Sequence, residues 1–72
     1  MTTSKPYLPA IAVTLKVLRP ILADALQDVD HGIRAADKGN QNGAVGSIIP
    51  TEEALKQAAV LVQAILVLHR QS

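Results

Sequence analysis

From Leu8 onward, apolar residues return at alternating intervals of three and four: Leu8, Ile11, Leu15, Leu18, Leu22, Ala25 and Val29. An α-helix advances by about 100° per residue, so this rhythm stacks the side chains into one stripe, whereas a strand needs strict alternation. Leu26, Ile33 and Ala36 widen the stripe, and Lys16, Arg19, Gln27, Asp30, His31, Arg34 and Lys38 gather on the far side. The pattern predicts one amphipathic helix over residues 8–38, ended by Gly39 as the left-handed residue.

Pro20 interrupts this helix, because it has no amide hydrogen for the Lys16 carbonyl and its ring crowds that oxygen. A kink near Pro20 is therefore expected, on the polar side, where the freed carbonyl meets water. The rival reading breaks the segment into two helices, with Pro20 as first residue of the second.

Residues 39–50 are rich in glycine and amides, carry no helical period and end in Pro50, so they read as a loop. Thr51 then looks like an N-cap, with Glu52 and Glu53 in the first turn where the helix dipole favours negative charge. A second helix is expected over 51–72. Its polar residues Glu52, Lys56, Gln63 and Arg70 fall close together around the axis, and aliphatic residues cover most of the rest. Residues 1–7 read as a flexible N-terminal arm.

The chain has 72 residues, which bounds it to one domain with a thin margin of stability, and without cysteine neither a disulfide nor a thiolate–metal site can add to it. Hydrophobic residues make up 49% of it, yet Tyr7 is the sole aromatic, so any core is built from Leu, Ile, Val and Ala. A net charge of +1 with dispersed cations argues against nucleic acid as a partner. Lys5, Lys16 and Arg19 precede Asp24, Asp28 and Asp30, a positive-to-negative gradient that reads first as a solvated face, with head-to-tail packing as the alternative. Ala23, Asp24 and Ala25 resemble a signal-peptide cleavage site, but the helical pattern runs straight through them.

A helix of about 30 residues is about 45 Å long, too long for a compact globule of this mass. A second helix of about 19 residues would cover it only back to Pro20. Leu8, Ile11, Leu15 and Leu18, with Val13, Val17 and Ile21, would then be left for a partner, and the broad apolar arc of the second helix adds Val60 and Val67.

Sites of chemistry are weak by comparison. Asp24, Asp28 and His31 share a helical face and could in principle grip a cation, but a solvated acidic patch is the reading they favour. The glycines after Lys38 follow no strand and so match no phosphate-binding loop, and His69 and Arg70 suit the end of a helix dipole. The sequence thus reads as an all-α chain: a hairpin of one long Pro-kinked helix and one shorter helix, associating into a larger helical assembly. No catalytic residue, metal or cofactor is expected. The expected role is a structural or interaction protein with protein partners, as a homo-oligomer or as part of a viral particle or other complex, in the cytoplasm or a virion. A second reading is a small membrane-active hairpin that resembles phage holins in size and two-segment layout. Lys16, Arg19 and Lys56 weigh against it.

Overall fold

A computed structural model describes residues 6–71 and contains two α-helices packed side by side as a hairpin. Helix α1 spans Leu8–Asp37 and α2 spans Gln41–Gln71. The flexible arm expected over residues 1–7 lies outside the described residues, apart from Pro6 and Tyr7, which form a turn leading into α1. The molecule is a rod of 63 × 15 × 12 Å with a radius of gyration of 17.2 Å, where a compact chain of this length would have about 11 Å.

Helix α1 agrees closely with the spacing of its apolar residues. It continues through Pro20 as one element, so the reading of two helices meeting there is excluded. Its C-terminus is closed by a pair of backbone bonds around a left-handed glycine. Gly39, at φ 74°, donates its N–H to Ala36 O at 2.9 Å, and Asn40 N–H donates to Ala35 O at 2.9 Å.

Helix α2 departs from expectation. Its first ten residues, 41–50, are the segment read as a loop, and Thr51 lies inside the helix instead of capping it. The cap is Asn40, whose Oδ1 accepts the Gly43 backbone N–H at 2.8 Å while its carbonyl accepts the N–H of Ala44 at 3.0 Å. A Cβ at position 43 would sit 2.5 Å from the Asn40 side chain, so glycine there makes room for the cap. Pro50 forfeits one helical bond, to the Gly46 carbonyl, and sits exposed on the helix surface. Packing against α1 outweighs the poor intrinsic propensity of these glycines and this proline, since helices in proteins draw most of their stability from the buried face.

The two helices are therefore equal partners, at 30 and 31 residues, joined by only Lys38, Gly39 and Asn40. The expected mismatch of lengths is absent. Along α1 the less exposed positions are Tyr7, Ile11, Thr14, Leu18, Ile21, Ala25, Asp28, Gly32 and Ala35, with Ala12 beside them. Along α2 they are Ala44, Ser47, Thr51, Ala54, Ala58, Leu61, Ile65 and Leu68, with Gly43 beside them. Both series alternate by three and four, the signature of two helices meeting along one heptad seam. Thr51 stands opposite Asp28, its Oγ1 donating to Asp28 Oδ2 at 3.3 Å, and a Cβ on Gly32 would meet Ala44 O at 3.2 Å.

Candidate association surface

The seam buries little. Among the described residues only Leu18, Ala25, Gly32 and Ala58 are buried, and the three of these that carry side chains are 8%, 7% and 6% exposed. The accessible surface is 5567 Å², against about 4,300 Å² for a folded monomer of this mass, a surplus of about 1,300 Å².

Most of the exposed large aliphatic residues lie on one flank. Leu8, Leu15, Leu22, Leu26, Val29 and Ile33 form a second stripe along α1, again at heptad spacing, and all are exposed. On α2 the stripe is Val45, Ile48, Leu55, Val62 and Leu66, also exposed. In each helix these residues lie on the side reached just after the seam positions. Because the helices run in opposite directions across a common seam, the two stripes fall on the same flank of the rod. Ile48 shows this directly, with its Cγ2 only 3.6 Å from where a Gly32 Cβ would lie. The stripes are broken by one charge apiece, Arg19 on α1 and Glu52 on α2.

The opposite flank is mixed. Toward the turn it is a shallow polar depression lined by Asp24, Gln27, Asp28, Pro50, Glu53, Ala54 and Gln57. Toward the open end, where α1 begins and α2 finishes, Val17, Ile21, Gln57, Val60 and Leu61 line a smaller apolar one.

The residues expected at an interface divide accordingly. Leu18 is buried in the seam, and Ile11 and Ile21 are half-buried in it, so these three hold the hairpin together because α2 is long enough to reach them. Leu8 and Leu15 stay bare, at 55% and 50% exposed, because a single neighbouring helix covers only one stripe of α1. Val13, Val17, Val60 and Val67 are exposed as well, and Val17 and Val60 share the smaller depression. Reasoning from length missed Leu26, Ile33, Val45 and Ile48 as surface. The signal that could have found them is a second three-and-four rhythm offset from the first.

The suggested cation face does not assemble. Asp24 and Asp28 both line the polar depression, but His31 is exposed and outside it, and no group of three metal-ligating side chains comes together among the described residues. No helix among the described residues is long and apolar enough to cross a membrane. Compared with protein-family models, curated proteins and solved structures, the chain finds no match.

Proposed function

We propose that this chain is a non-enzymatic structural or interaction protein whose hairpin becomes stable by laying its apolar flank against another protein surface, as a homo-oligomer or as a small subunit of a larger complex such as a viral particle. The observation that carries the reading is the continuous exposed flank formed by Leu8, Leu15, Leu22, Leu26, Val29 and Ile33 together with the α2 stripe. Soluble monomers seldom expose an apolar patch beyond about 300–600 Å². Each large aliphatic side chain withdrawn from water contributes about 1.5–3 kcal/mol, so the flank favours association strongly. A bend of α1 at Pro20 and of α2 at Pro50, both on exposed positions, would let the rod curve around its partner. Such a subunit would act in the cytoplasm or a virion.

Sedimentation equilibrium or light scattering of the purified chain is the test. The expected result is a mass above that of one chain, falling to one chain in Leu15→Asp/Leu22→Asp, two substitutions that leave the seam intact. A helical, thermally stable single chain at micromolar concentration overturns the reading.

A further inference from the structure

The two halves of the rod carry opposite charge. In the open half, residues 8–22 and 57–71, Lys16, Arg19 and Arg70 face no acid at all, for a net of +3. In the turn half, residues 23–56, Asp24, Asp28, Asp30, Asp37, Glu52 and Glu53 outweigh Arg34, Lys38 and Lys56, for a net of −3. Every acid of the chain is in that half.

We propose that the apolar flank docks on the same flank of a second copy running in the opposite direction, giving an antiparallel four-helix bundle with α1 against α1 and α2 against α2. This rests on the association reading above and specifies its partner.

Two observations carry it. The first is extent: eleven large aliphatic side chains stand exposed along one flank over the length of both helices, the kind of apolar face that an obligate pair covers. The second is polarity. A two-fold axis along the rod would bring the cationic halves together at one end and the acidic halves at the other, whereas an axis across the rod sets each cationic half against an acidic one.

The chain has no cysteine, so single-cysteine variants report cleanly. Nitroxide labels on Gln71→Cys, at the open end, are expected to lie about 45–50 Å apart in the assembled protein, measured by electron–electron dipolar spectroscopy. Gln71→Cys mixed with Gln41→Cys, at the turn end, should give a separation under about 25 Å. A Gln71→Cys self-distance under about 25 Å overturns the antiparallel arrangement while leaving association intact. A mass of one chain overturns both.

Discussion

The seam of this hairpin is built in two different ways. In the open half large aliphatic side chains dominate it, Ile11, Leu18 and Ile21 of α1 with Leu61, Ile65 and Leu68 of α2, and only Thr14 and Ala58 are smaller. In the turn half, Ala25, Asp28, Gly32 and Ala35 meet Ala44, Ser47, Thr51 and Ala54. Large side chains stabilise by the apolar area they withdraw from water, about 0.8 kcal/mol per methylene. Small ones withdraw little and instead let the backbones approach, as the 3.2 Å between Ala44 O and a Cβ built on Gly32 shows. The open half thus supplies most of the hydrophobic driving force. The turn half depends on close fit, on local hydrogen bonds such as Ser47 Oγ to Gly43 O at 2.8 Å, and on the capped reversal at its end.

Removing bulk from the open half should do the greatest damage. Leu18→Ala is expected to cost about 2–4 kcal/mol, seen as a lower midpoint when helicity is followed by circular dichroism during heating. Ala25→Gly, in the turn half of the seam and contributing one methyl, should cost only about 1 kcal/mol, so equal losses would contradict the division.

Adding bulk reverses the order of the halves. Gly32→Leu is expected to cost about 1–3 kcal/mol by forcing the backbones apart at Ala44, while Thr14→Leu in the open half should be neutral or stabilising. A harmless Gly32→Leu would show that the turn half is loosely packed. The capped reversal comes next: Asn40→Ala leaves the Gly43 amide without its side-chain acceptor and should cost about 1 kcal/mol, with hydrogen exchange accelerating first in residues 41–46. Smallest is the seam's polar pair. At 3.3 Å the Thr51–Asp28 bond is long, so Thr51→Val is expected to change stability by less than about 1 kcal/mol.

The same division explains what the sequence disclosed. Leu8, Ile11, Leu15 and Leu18 announce their period because each is strongly apolar, and α1 is legible from end to end, with Pro20 at an exposed position. Ala44, Ser47, Thr51 and Ala54 keep an equally regular rhythm, but they are chemically muted, and Gly43, Gly46 and Pro50 among them suggest a loop. Only the facing helix reveals that small size is what the site requires. That misreading shortened α2 and placed the bare surface at the end of α1. In the folded hairpin it is Leu8, Leu15 and Leu22 along a flank that stay uncovered, while Leu18 turns inward.

The reversal at Gly39 has a consequence for any larger structure. Since the chain enters and leaves the rod at the same pole, a protein fused to either extremity projects from that pole, and the capped turn forms a blunt, unencumbered opposite tip. Two copies laid head to tail would present one blunt tip and one pair of chain extremities at each end, giving a spacer whose two faces are interchangeable.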